Sequence, residues 1–345
     1  SAYKAGNLSI GISTQGASPY IAADIKNRIA SELPPDIEQI LDYLCSIREN
    51  IKAKVEDSSK RAAIFKASAR RCMVLGRKLD DDELDEIIAS VKENEADETK
   101  KGRVVIAGAG CGAYDLITVR ALNAVKAAEV IVYDDLIDEH LLEFAPESCE
   151  LIYAGKRSGR HSKAQEEINE LLVEKALEGR YVVRLKGGDP YVFGRGGEEA
   201  LALKAHGIPV HEVPGVTSGI GLCGMAGIPV THRGASRGFH VITGHTADNL
   251  PPEIEEIRWK SYAKLDETFV FLMGLKSIDM ITEKLMRYGK LSDTPVAVIH
   301  GENTDGTYVK LVGTLSDIAA KVKEVDFPSP AIIVVGEVAS LELTD

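Results

Sequence analysis

Arg103-Val104-Val105-Ile106-Ala107-Gly108-Ala109-Gly110-Cys111-Gly112-Ala113 is a short apolar run that breaks into a glycine turn. An unbroken run of branched and small apolar residues reads as a strand buried on both faces, and glycines directly after it let the backbone reverse sharply. The same grammar continues downstream. Leu116 to Ala127 has helical spacing, Val130-Ile131-Val132-Tyr133 reads as a strand, and further strands are expected at Glu150 to Tyr153, Tyr181 to Leu185 and Val210 to Val213, with a helix from Ala164 to Leu177. Strands alternating with helices predict a parallel α/β layer. A second set of strands is expected at Gly238 to Thr243, Thr268 to Met273, Pro295 to Ile299, Tyr308 to Gly313 and Ala331 to Val335, around helices near Ile278 to Tyr288 and Leu315 to Val322. The expected architecture is α/β, in two lobes that share a cleft.

Upstream the texture differs. Leu8 to Ser13 alternates like a short strand, Gly16-Ala17-Ser18-Pro19 opens a helix over Tyr20 to Glu32, and from Pro34 to Ser90 apolar residues recur at helical spacing. Ile37, Ile40, Leu41, Leu44, Ile47 and Ile51 form one stripe, which is expected to need a partner surface and so to support a homodimer. Asp80-Asp81-Asp82-Glu83 is expected to cap a last helix, since carboxylates favour a helix N-terminus. Glu93 to Lys101 has no apolar stripe and reads as a linker. The expected boundaries are a small helical region over 1–92, a linker over 93–102, and α/β lobes over 103–214 and 215–345.

Composition narrows the function. A chain of 345 residues, 44% hydrophobic and 27% charged, buries real cores and is neither collagen, coiled coil nor disordered. The net charge of -12 argues against general affinity for nucleic acid or anionic lipid, while leaving room for a local basic pocket. No run of about 18 apolar residues suggests a membrane span, and Ser1 to Gly6 lack a signal peptide's apolar core. The five cysteines have no C-x-x-C pair, so neither a disulfide framework nor a zinc site has its spacing. A cytoplasmic, metal-free protein is the expectation.

Gly108 to Ala113 fits G-x-G-x-x-A, and Asp134 ends the next strand. That combination suits a dinucleotide, with glycines for the turn and an acid for ribose hydroxyls. It equally suits the nucleoside of S-adenosylmethionine, or a turn that serves packing alone, and the motif by itself leaves the three open.

The later motifs change the balance. Val183 to Glu199 includes Gly187-Gly188-Asp189-Pro190 and Gly194-Arg195-Gly196-Gly197, more loop glycines than a hydride-transfer fold requires. Val213-Pro214-Gly215-Val216-Thr217-Ser218 and Gly227-Ile228-Pro229-Val230-Thr231-His232-Arg233-Gly234 follow. With Tyr133-Asp134-Asp135-Leu136, Gly155-Lys156-Arg157-Ser158-Gly159-Arg160-His161, Phe271-Leu272-Met273-Gly274 and Pro330 to Gly336, these segments resemble the uroporphyrinogen-III C-methyltransferases of the tetrapyrrole methylase superfamily, collinearly from Arg103 to about Ala339. Gly6 to Pro19, with the helices behind it, resembles the dimerisation and helical region of siroheme synthase. In that enzyme a precorrin-2 dehydrogenase and ferrochelatase module precedes the methylase, which makes NAD-dependent dehydrogenation the alternative reading. Its nicotinamide lobe is not among these residues, so methyl transfer without dehydrogenation is expected.

The resemblance implies a two-lobed methylase fold with its active site in the inter-lobe cleft. It implies transfer of two methyl groups from S-adenosylmethionine to pyrrole carbons of uroporphyrinogen III, giving precorrin-2 and S-adenosylhomocysteine. It assigns cofactor contacts to Cys111, Gly187, Gly188, Asp189, Val192, Thr217, Ser218, Met273, Glu302 and Ala331. Cys111 departs from the family's usual proline and is expected to offer its backbone. Asp134 and Lys156 match the proton acceptor and donor, and Arg195 is expected to place substrate, since a guanidinium is a poor base. Substrate contacts fall on Arg157, Arg160, His161, Glu198 and Arg233, the four basic residues among them suiting a macrocycle with eight carboxylates.

Overall fold

In the computed structural model, which describes residues 1–93, 101–155, 165–244, 251–301, 307–341 and 343, Gly6 makes the first turn at φ +51°. It joins β1 (Ala2–Ala5) to β2 (Leu8–Gly11) as an antiparallel hairpin. The chain divides into two compact units, Ser1–Lys100 and Lys101–Asp345. In the first, α1 (Pro19–Glu32) starts where the Ser18 side chain accepts from the Ile21 N–H. Three helices follow, α2 (Ile37–Lys54), α3 (Ser58–Leu75) and α4 (Asp81–Glu93).

The apolar stripe of α2 does not await a partner, contrary to expectation. Ile40, Ile47 and Ile51 are buried against Ile64 and Cys72 of α3 and Leu84, Ile87 and Ile88 of α4, because helices joined by short turns fold back and cover one another's apolar faces. The exposed apolar face lies on α1, at Tyr20, Ile21 and Ile25. The acidic run caps α4 reciprocally: Asp80 Oδ1 accepts from the Glu83 N–H at 2.8 Å and Glu83 Oε2 from the Asp80 N–H at 3.0 Å. Hydrogen bonding to Arg77 and then to the Asp80 backbone brings the Glu83 carboxyl down to about 2.

The second unit opens with a five-stranded parallel sheet of order β5-β4-β6-β3-β7, comprising β3 (Arg103–Gly108), β4 (Val130–Tyr133), β5 (Glu150–Tyr153), β6 (Tyr181–Lys186) and β7 (Val210–Val213). Side chains alternate across it. Val104 and Ile106 face α6 (Gln165–Leu177) and α7 (Gly196–Ala205), packing with Leu172 and Leu203. Val105 and Ala107 face α5 (Val119–Ala127), packing with Ala121 and Val125. Burial on both faces explains the unbroken apolar run, each branched side chain contributing about 1.5–3 kcal/mol when taken from water.

The second sheet has order β11-β10-β12-β9-β8, formed by β8 (Phe239–Thr243), β9 (Thr268–Leu272), β10 (Pro295–Gly301), β11 (Tyr308–Thr314) and β12 (Ile332–Val335). It is mixed. β8 pairs parallel with β9, whereas the pairs of β12 with β9, of β10 with β12 and of β10 with β11 are antiparallel. Its helices are α8 (Ser218–Met225), α9 (Pro252–Lys264), α10 (Ile278–Arg287) and α11 (Ile318–Glu324). The sequence patterning anticipates neither α8 nor α9. Gly219, Gly221 and Gly224 dilute the first, and Ile254 and Ile257 of the second are exposed. Among the described residues, no helix is long and apolar enough to cross a membrane.

Candidate active site

Parallel strands send their carboxyl ends, and the loops that follow, to one edge of the sheet. At that edge the loop after β3 meets the loop after β6 through paired backbone bonds: the Gly188 N–H donates to the Gly110 carbonyl at 2.7 Å, and the Gly110 N–H returns to Gly188 at 3.3 Å. The loop after β7 joins them, because the Gly215 N–H donates to Asp189 Oδ2 at 3.2 Å. Asp189 Oδ1 also accepts from the Tyr191 N–H at 2.8 Å, so this carboxylate ties two loops. Only glycine fits the seam. A Cβ on Gly108 would stand 2.6 Å from both the Gly188 carbonyl oxygen and Gly215 Cα.

Gly110, Gly112 and Gly188 lie in the left-handed region, and the glycine turn does not run directly into an α-helix. A 3-10 turn over Tyr114–Leu116 intervenes before Thr118 caps α5. A dinucleotide fingerprint presents its helix N-terminus at the glycines, whereas here the turn is occupied in bridging Gly188. What does open nearby is α8. Thr217 caps it by accepting from the Gly219 N–H, and Ser218 is its first residue. A Cβ at Gly188 would find only the Ser218 nitrogen at 3.8 Å and Thr217 Cα at 3.9 Å. Backbone thus lines the approach to Gly188 from the Thr217–Ser218 side, and exposed amides and carbonyls are what close binding of a nucleoside requires.

Cys111 and Val192 belong to one apolar cluster with Val216 and Leu222. Burial pushes the Cys111 thiol up to about 11, which makes it a neutral packing group at physiological pH. Met273 directly follows β9 at φ +55° and is 48% exposed. Ala331 is buried directly before β12.

On the other side of the seam stands Asp134. A Cβ on Gly187 would collide with the Leu136 carbonyl, so the loop after β4 packs on the GGD turn. Asp134 is 23% exposed, and its Oδ2 accepts from Arg184 Nη2 at 2.9 Å. Its neighbour Asp135 is directed elsewhere and accepts from the Tyr153 hydroxyl. Arg184 and Lys186, both buried, share the fully buried Glu199: its Oε1 takes Arg184 Nε at 3.2 Å and Lys186 Nζ at 2.9 Å. Burial, then the adjacent guanidinium, lowers the Lys186 pKa below the ordinary lysine value against the pull of Glu199. Motif reasoning missed these three residues. The signal for Arg184 and Lys186 was present as charges in an apolar strand, Val182-Val183-Arg184-Leu185-Lys186.

Arg195 adopts φ +59° between Gly194 and Gly196, and a Cβ on either glycine would press on the Pro190 carbonyl at 2.6 and 2.7 Å. Its guanidinium grips Glu198 at two points, 2.8 and 2.5 Å. That bond raises the Arg195 pKa and lowers that of Glu198, so any other carboxylate approaching Arg195 would compete with Glu198. Arg233 is exposed in a tight turn closed by the His232–Ser236 bridge. Lys156, Arg157, Arg160, His161 and Glu302 lie outside the described residues.

A parallel sheet with a glycine seam at its carboxyl edge, beside a second mixed sheet, is a methylase arrangement, and the chain belongs to the Tetrapyrrole (Corrin/Porphyrin) Methylases, whose family model matches residues 103–319. Within that family the chain is similar to the uroporphyrinogen-III C-methyltransferase of Methanocaldococcus jannaschii, 49% identical over 242 residues covering 70% of this chain and 98% of that protein. It is also similar to the siroheme synthase of Thioalkalivibrio sulfidiphilus, 36% identical over 97% of this chain and 68% of that protein. Among solved structures, uroporphyrin-III C-methyl transferase from Thermus thermophilus complexed with S-adenyl homocysteine superposes with a TM-score of 0.57. It is 38% identical and covers 69% of this chain and 98% of that one.

Proposed function

We propose that the chain is an S-adenosylmethionine-dependent uroporphyrinogen-III C-methyltransferase that forms precorrin-2. The observation that carries this reading is the glycine seam, which brings Gly188 beside Thr217 and Ser218 and packs Gly187 against the loop that carries Asp134. The 49% identity to a relative of that name supports the substrate assignment. The sulfonium supplies a methyl group already activated for attack by carbon. Gly187, Gly188, Thr217 and Ser218 would hold the nucleoside and methionine parts, with Cys111, Val192, Met273 and Ala331 as apolar and backbone walls. Asp134 takes the proton that the macrocycle loses after carbon attack, and Lys156 is its proton donor by the family pattern. Arg195, with Glu198, and Arg233 place the substrate's carboxylates, together with Arg157, Arg160 and His161. The working form is a cytoplasmic homodimer, supported by the exposed α1 face and by five cysteines that form no disulfide.

Incubation with S-adenosylmethionine and uroporphyrinogen III, followed by mass spectrometry, tests the reaction: doubly methylated product is expected. Calorimetry tests the cofactor assignment. Stoichiometric binding of S-adenosylhomocysteine with no comparable binding of NAD is expected, and the reverse pattern would overturn the assignment.

A further inference from the structure

Arg184 lies in the floor of the proposed site but is 2% exposed and too deep to act on substrate. All three of its nitrogens are engaged. Nε donates to Glu199, Nη1 to the Val132 and Leu185 carbonyls at 3.2 and 3.1 Å, and Nη2 to Asp134. The two carbonyls belong to strands β4 and β6, so the guanidinium plane is fixed by the sheet itself. Two cations, Arg184 and Lys186, balance two acids, Glu199 and Asp134, and Gln165 Nε2 adds a further donor to Glu199 at 3.3 Å. Among the described residues, Glu199 Oε2 finds no donor. A buried ionic set of this kind contributes little net stability compared with apolar packing of the same volume. What it provides is orientation, because Asp134 is the one member that reaches solvent.

We propose that Arg184 is a positioning residue for methyl transfer: anchored by Glu199 and two strand carbonyls, it holds the Asp134 carboxylate aimed at the substrate side of the seam. The inference rests on the reading of Asp134 as proton acceptor. If Arg184 acts through Asp134, it has nothing left to position once that carboxylate is gone.

A double-mutant cycle on the full chain tests it, with turnover, KM and S-adenosylhomocysteine affinity as readouts. Asp134→Asn and Arg184→Gln are each expected to lower kcat about a hundredfold, the scale of a lost general base, with inhibitor affinity kept within about threefold. Arg184→Lys, which keeps the charge without the fork, is expected to recover part of the loss. The double variant is expected to be no slower than Asp134→Asn, as coupled residues are non-additive. Losses that multiply in the double variant, or a kcat deficit that follows loss of S-adenosylhomocysteine binding, would show a merely structural role. If Arg184→Gln does not fold, Arg184→Lys enters the same cycle with the same expectation. Parental turnover by Asp134→Asn instead overturns the reading of Asp134, and the positioning role with it. Parental turnover by Arg184→Gln beside a crippled Asp134→Asn overturns the positioning role alone.

Discussion

Arg195 and Cys111 illustrate how differently two side chains of the proposed site are held. Arg195 is held by a two-point grip on Glu198 in a left-handed turn. Arg195→Lys keeps the charge but loses the fork, and turnover should fall roughly 10- to 100-fold, the kinetic equivalent of about 1.5–3 kcal/mol for a charged hydrogen bond. Steady-state kinetics beside an unchanged inhibitor titration checks it. Cys111 contributes bulk. Its thiol keeps the proton up to about 11 and that of Cys223 up to about 12, against an ordinary 9.0. A folded state that holds protons the unfolded chain has lost is stabilised below the unfolded value and loses that stability as pH rises through the folded ones. The melting temperature should therefore decline as pH rises above about 9, with Tyr43 contributing in the same direction. Cys111→Ala should reduce the slope in a series of thermal melts; an unchanged slope would discount the thiol.

The short helix α8 owes its position to what its residues lack. A Cβ on Gly221 would drive into Cys111 Sγ and stand 2.8 Å from Val216 Cγ1. Gly221→Ala should cost about 1–3 kcal/mol by overpacking and weaken S-adenosylhomocysteine binding through displacement of Thr217 and Ser218. Adding Cys111→Ala should restore most of both, as a paired melt and titration will report. This helix is also where reading the sequence fell short. Periodicity reports a helix through the contrast of its faces, and glycines with apolar residues all round give no contrast. Strands β3 and β4 were legible almost to the residue, since burial on both faces leaves an unbroken apolar run. The glycine turns were legible as a motif, yet their contact with one another depends on pairing between distant strands. Asp134 was visible at a strand end, whereas the Arg184–Glu199–Lys186 group is assembled from β6 and α7 and appears in sequence only as misplaced charge.

For the molecule as a whole, the proposed homodimer is best sought at α1, whose Tyr20, Ile21 and Ile25 remain exposed, and not at α2, whose stripe is spent internally. Ile21→Glu combined with Ile25→Glu should convert the dimer to monomers by light scattering, whereas an unaltered mass would place the interface elsewhere. The glycine seam has a consequence of another kind. It joins Gly110, Gly188 and Asp189 with Gly215, segments far apart in the chain and irregular in conformation, by hydrogen bonds of 2.7 to 3.3 Å. Loop amides ordinarily trade their hydrogens with solvent through small local openings. The amides of Gly188 and Gly215 have no such private route, because releasing either one parts loops anchored on different strands. In deuterated water they should exchange as slowly as the amides of β3 and β6, so that half-buried loop backbone at the proposed site is also among the slowest in the unit to open.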